Sequence, residues 1–174
     1  LEFAETGELA SLSQALQSRR GRFQPTIVSY GDVLFNKYIP QALCQEQDDC
    51  VIFVDSNWRD QSSYARLGGF AECSIPNSRK AFNAKIHLKQ LGKTLPEESI
   101  HGVWMGFLKL SSSAASQVND LLLDMLADPA NRRAGIPQLL QALLKQDVPV
   151  RVLYTVGHWL DVNSLEDVVQ AGNF

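Results

Sequence analysis

Residues 26–55 read TIVSYGDVLFNKYIPQALCQEQDDCVIFVD, and their order decides the fold. Thr26 to Tyr30 is a short β-rich run that stops at Gly31-Asp32. Leu34, Phe35, Tyr38, Ile39, Ala42 and Leu43 then recur at helical spacing. Pro40 interrupts that spacing and predicts a kink or split near Ile39, because proline lacks an N–H and clashes with the preceding turn. Cys50 to Asp55 is apolar almost without a break, as in a strand buried on both faces. Strand, helix, strand predicts a crossover unit in a parallel sheet. Ligands on such sheets sit beyond the carboxyl ends of strands, which singles out Asp32 and Asp55.

Upstream, Leu9, Leu12 and Leu16 predict a helix with Thr6 as its cap. Downstream, Gly69 to Ile75 and Phe82 to Leu91 carry strand content, and Val103 to Leu110 is a convincing strand. Val118, Leu121, Leu122, Met125 and Leu126 mark a helix, and Ile136, Leu139, Leu140, Leu143 and Leu144 mark another. Val150 to Val156 is a strand, and Ser164 with Asp167 opens a last helix, Leu165 to Ala171. No repeat or linker divides the chain, so residues 1–174 are expected to form one α/β domain with a mixed, mostly parallel sheet.

Composition narrows the function. A net charge of −3 makes no electrostatic case for nucleic acid or an anionic membrane. The one basic cluster, Arg19-Arg20-Gly21-Arg22, reads as a solvated turn. Cys44, Cys50 and Cys73 form no CxxC, which argues against a zinc site or a disulfide framework. Buried free thiols and a cytoplasmic location are expected. No apolar run is long enough to span a bilayer, and the first residues lack a signal-peptide pattern.

Oxygen ligands gather near the end of the chain. Gly157-His158-Trp159-Leu160-Asp161-Val162-Asn163 follows the strand ending at Val156. On an extended backbone Asp161 and Asn163, two apart, point to the same side. With Asp32 as a second carboxylate they make an oxygen set suited to Mg²⁺. The competing reading makes Asp32 a helix N-cap and Asp161 a turn residue. His158 reads as a packed or substrate-lining residue, since no Ser or Cys stands in a nucleophile elbow. Trp58 and Tyr64 either line a pocket near Asp55 or cover the sheet edge. Arg79-Lys80 and Glu97-Glu98 read as solvated charge pairs. No glycine-rich phosphate loop occurs anywhere.

Four segments together resemble the sugar-nucleotidyltransferase superfamily. They are Thr6-Gly7-Glu8-Leu9-Ala10-Ser11-Leu12, Ile27 to Phe35, Val51 to Ser56, and Trp159 to Asp167. The nearest branch is the cytidylyltransferase-like domains found alone or fused to phosphoenolpyruvate phosphomutase. The resemblance covers essentially the whole chain in order. It implies a Rossmann-like nucleotidyltransferase fold, N-terminally truncated. It also implies transfer of a cytidylyl group from CTP to a phosphate or phosphonate head group. Asp32 and Asp161 would be catalytic, and Asp32, Asp161 and Asn163 would hold Mg²⁺ against the nucleoside triphosphate.

Three departures qualify that expectation. The family's opening strand and glycine-rich loop belong before Thr6, so the chain resembles the latter part of such an enzyme. Val103, in Gly102-Val103-Trp104-Met105-Gly106, stands where the family has a carboxylate. Asn163 replaces a second acid. The chain by itself is therefore expected to be inactive, and a non-catalytic binding or assembly module on the same fold is the alternative. A sheet edge left open by an absent first strand predicts a homodimer or strand swap.

Overall fold

A computed structural model describes residues 6–60, 69–81 and 84–172. The central sheet is built from β1 (Thr26–Ser29), β3 (Cys50–Asp55), β4 (Phe70–Cys73), β5 (Leu88–Gly92), β6 (Gly102–Leu110) and β7 (Val150–Thr155). Its order is β5-β4-β6-β3-β7. The long strand β6 meets β3 along one edge. Its other edge is shared by β1 at Phe107–Leu110 and β4 at Gly102–Val103. A separate two-stranded ribbon joins β2 (Val33–Phe35) to β8 (Trp159–Asp161).

The sheet is mixed. β3 and β7 pair in parallel, and β1, β3 and β4 all run antiparallel to β6. With β5 antiparallel to β4, four strands share one direction and two oppose them. The crossover expected from residues 26–55 joins strands of the same direction, but β6 is inserted between β1 and β3. Only strand direction follows from a local pattern. A strand arriving from fifty residues downstream decides adjacency.

Helices α1 (Glu8–Gln17), α3 (Ser112–Ala127) and α4 (Ile136–Lys145) cover one face of the sheet. Leu9, Leu12 and Leu16 of α1 pack there with Val118 and Leu122 of α3 and Leu139, Leu140 and Leu143 of α4. Each such side chain stabilises the fold by roughly 1.5–3 kcal/mol of removed apolar surface. The other face carries α2 (Tyr38–Gln45) and the β2–β8 ribbon. There Ile39, Leu43, Val33 and Trp159 pack on Val51, Phe53, Met105 and Phe107. Strand β3 is buried throughout because both faces are covered, as its continuous apolar composition requires.

Several local expectations change. Leu34 and Phe35 belong to β2 rather than to a helix, and α2 begins at Tyr38. Pro40 then falls in the first turn, where its missing N–H needs no intrahelical partner, so no break is needed. The N-cap of α2 is Lys37, so Asp32 is not a helix cap. Gly7, not Thr6, is the N-cap of α1. Strand β5 starts at Leu88, and Phe82 lies outside the described residues. The final helix, α5, spans Leu165–Ala171, and Ser164 caps it through the amide of Asp167. No helix among the described residues is long and apolar enough to cross a membrane.

Candidate functional site

The β2–β8 ribbon decides where the acids lie. Val33 stands opposite Asp161, and Phe35 opposite Trp159. The amide of Val162 donates to the backbone oxygen of Asp32 at 2.8 Å, which extends the pairing by one step. Two residues 129 positions apart in the chain are thus fixed by main-chain bonds at one end of a ribbon. Asp161 is buried, at 3 % exposure, whereas Asp32 is exposed. Asp161 is a strand residue, not a turn residue.

Asp32, Asp161 and Asn163 all line one open cleft of about 650 Å³. Its other walls come from elements that sequence reading did not connect to it. Glu8 and Tyr30 line it, as do Lys93 just after β5, Arg133 just before α4, and Gln138 and Gln141 on α4. The cleft therefore joins an acidic group, Glu8, Asp32 and Asp161, to a basic pair, Lys93 and Arg133.

Glu8 organises this wall. Its Oε2 accepts the amide of Ile136 at 2.8 Å and the hydroxyl of Tyr30 at 2.9 Å. A carboxylate at the first turn of α4 satisfies an amide that has no intrahelical partner and complements the helix dipole. The side chain of Gln138 accepts the amide of Gly135 at 2.9 Å, another donor at the same end. The amide of Gly7 donates to Arg132 and that of Leu9 to Ala134, so α1 is tied to the segment carrying Arg133.

Tyr30 links the cleft to the core. Its ring lies edge-on to Trp104 at 5.5 Å. It also fills the space over Gly106, where an added Cβ would meet the ring at 2.6 Å. Gly106 has φ +82°, a left-handed conformation that glycine adopts without steric cost. Burial, then the Glu8 charge and hydrogen bond, then the Asp32 charge push the Tyr30 phenol well above its ordinary range. It stays a donor to Glu8 at any physiological pH.

The other candidates lie elsewhere. His158 is exposed at the turn before β8, its ring edge-on to Tyr38 at 5.8 Å. Trp58 packs on Phe70 at 5.3 Å with the Arg59 guanidinium 4.4 Å above its ring, so it covers the sheet. Tyr64 lies outside the described residues. Arg79 and Lys80 are exposed on a short 3₁₀ turn, and Glu97 meets Arg59 at 3.5 Å. Cys50 and Cys73 are buried free thiols, while Cys44 is exposed. Val103 is fully buried against the α2 face and offers the cleft no polar atom.

An all-oxygen donor set, with neither His nor Cys in the lining, fits a hard cation such as Mg²⁺. Among the described residues no group of three or more His, Cys, Asp and Glu side chains is placed to hold a metal ion. Asp32 and Asp161 are two carboxylates, and any third protein ligand from Asn163 would be an amide oxygen.

No protein-family model matches the chain, and no curated protein matches it in sequence. Solved structures do match in fold. The inositol-1-phosphate CTP transferase from T. maritima has a TM-score of 0.65 at 16 % identity, over 94 % of this chain and 58 % of that one. The CTP:phosphocholine cytidylyltransferase from Streptococcus pneumoniae has a TM-score of 0.63 at 11 % identity, over 99 % and 65 %. A UDP-glucose pyrophosphorylase complexed with UDP-glucose has a TM-score of 0.65 at 14 % identity, over 97 % and 62 %. The chain therefore has the α/β fold of the sugar nucleotidyltransferases. It spans about three fifths of the length of these structures.

Proposed function

We propose that this chain is a nucleotidyltransferase-type domain whose cleft takes a nucleoside triphosphate and a phosphorylated or phosphonate head group. The observation that carries the reading is the joining of Asp32 and Asp161 to Lys93 and Arg133 in one cleft. The reaction is attack of a phosphate or phosphonate oxygen on the α-phosphorus of CTP, with the bond to pyrophosphate breaking. Such transfer depends on positioning and charge neutralisation more than on covalent help from the protein. CTP is preferred because the sequence resembles the cytidylyltransferase branch, and two fold neighbours are named for CTP chemistry.

Asp32 and Asp161, assisted by Asn163, would hold Mg²⁺, which supplies positive charge against phosphate oxygens. Lys93 and Arg133 suit the anionic end of the acceptor, Arg133 through its planar fork of donors. Glu8 and Tyr30 hold the segment that carries Arg133. Calorimetry with CTP and Mg²⁺ on the wild type and on Asp161→Ala tests the metal role. Heat from the wild type only is expected, and equal heats from both remove that role.

A second reading, a non-catalytic binding or assembly module, is favoured by the burial of Val103 where a carboxylate is expected. Pyrophosphate release with CTP and phosphocholine, measured on a protein that supplies a glycine-rich phosphate loop together with this chain, separates the two readings, because a binding module takes up nucleotide and releases none. Assembly as a homodimer or strand swap has its motive in β1. Among the described residues that strand pairs with β6 alone and leaves Ile27 37 % exposed. Sedimentation equilibrium at the mass of one chain would dismiss it.

A further inference from the structure

Asp55 ends β3 with no solvent exposure, and it is not among the residues lining the cleft. Three donors nevertheless converge on its carboxylate. Oδ1 accepts the amide of Asn57 at 2.9 Å and that of Gly157 at 3.2 Å. Oδ2 accepts the indole Nε1 of Trp159 at 2.8 Å. One donor lies just after β3, and the other two lie in and after the turn between β7 and β8. That turn places Gly157 at φ +67° and His158 at φ +65°, and a left-handed histidine persists only where its surroundings over-determine it. The backbone oxygen of His158 then accepts the amide of Asn36 at 3.0 Å, just past β2.

We infer that Asp55 is a positioning residue: its buried carboxylate fixes the 157–159 turn and the Trp159 indole, and so sets where β8 presents Asp161 beside Asp32. The chain of contacts is continuous. Asp55 holds Trp159, Trp159 is paired with Phe35, and two residues further along the same ladder Asp161 is paired with Val33, next to Asp32. Because the ribbon has only three paired positions on each strand, its register depends on its ends. A carboxylate suits this role because it only accepts, with room for several donors on two oxygens. An asparagine of the same shape offers one oxygen and turns an N–H₂ group towards at least one donor. As regards the cation, the inference rests on the proposed metal reading.

The test uses the whole chain, wild type, Asp55→Asn and Trp159→Phe. Amide hydrogen exchange by NMR reads the ribbon, and Mn²⁺-induced line broadening at Asp32 and Asp161 reads the acid pair. In Asp55→Asn, amides of β2 and β8 are expected to exchange at least about tenfold faster, with the β3–β6 ladder unchanged. Mn²⁺ affinity is expected to fall about ten- to a hundredfold, the usual cost of losing a group that orients a ligand. Trp159→Phe, which removes one donor, moves both readouts the same way by less. Wild-type exchange in the ribbon of Asp55→Asn, or equal acceleration throughout the sheet, overturns the positioning role. If the wild type shows no Mn²⁺ broadening, the metal reading falls and the exchange pattern alone decides for or against Asp55.

Discussion

Tyr30 and Glu8 are joined by a 2.9 Å hydrogen bond that bridges the core and the cleft wall. On one side the Tyr30 ring rests on Trp104 and over Gly106. On the other, the Glu8 carboxylate closes the first turn of α4 beside Arg133. Packing under the sheet is therefore coupled to the placement of a basic side chain in the cleft.

Gly106→Ala tests that coupling. The new Cβ meets the Tyr30 ring at 2.6 Å, and φ +82° disfavours any L side chain. A destabilisation of about 1–3 kcal/mol is expected in urea unfolding, with Tyr30 displaced from Glu8. An unchanged midpoint would show that the ring moves aside without cost.

Arg133→Ala tests the proposed acceptor subsite. Loss of one charge-assisted hydrogen bond is expected to weaken phosphocholine binding, used as the probe, by about 2 kcal/mol, on the order of thirtyfold. Arg133 is exposed, so the urea midpoint should stay within about 0.5 kcal/mol of the wild type. Unchanged binding would place the acceptor elsewhere.

The thiols separate by burial. Burial and then the Asp49 charge push Cys50 up to about 11. Burial, with the Glu72 charge and against a Tyr154 contact, pushes Cys73 up to about 11. Cys44 is exposed. A thiol reagent at neutral pH should modify Cys44 rapidly in the native protein, and Cys50 and Cys73 only after denaturation. Rapid native labelling of either buried thiol would contradict the packing.

Asp48 contributes on the acid side. The Lys85 ammonium donates to its carboxylate at 2.9 Å, and the charges of Lys85, Arg151 and His87 add to that bond. Together they hold Asp48 below the ordinary carboxylate range against a smaller burial effect. A depressed folded-state value means stability that is present above the unfolded value of about 3.9 and lost as pH falls through the folded one. Lys85 is 68 % exposed, so the pair is screened and worth no more than about 1 kcal/mol. Asp48→Asn should be less stable than wild type at pH 6, and the difference should shrink as pH falls below about 4. A difference that does not shrink as the solution is made more acidic would assign the effect to something other than charge.

Local patterns made much of this molecule legible. The continuous apolar run Cys50 to Asp55 is a strand covered on both faces, and the spacing of Ile136 to Leu144 gives α4 and its buried stripe. The apolar run from Val150 likewise is a strand, Val150–Thr155, with Asp161 in the stretch beyond it. Pro40 conflicts with the helix only if the helix begins at Leu34. Once Leu34 and Phe35 pair with β8, the proline falls where a helix tolerates it.

Sequence alone marks the strands of the central sheet, the helices α1, α3, α4 and α5 and the acids at strand ends, but not the β2–β8 ribbon, whose two short strands carry no pattern of their own. Periodicity and composition act over a few residues, and those features are local. Only the tertiary structure decided that β6 lies between β1 and β3, and that Val33 meets Asp161. Only it placed Glu8, Tyr30, Lys93 and Arg133 around the same cleft as Asp32. Those relations join residues tens of positions apart through main-chain pairing and burial, and no short-range pattern carries them. Asp55 stands at the boundary: the apolar run marks it as a strand end, and only the returning β7–β8 turn supplies the donors that its buried carboxylate holds.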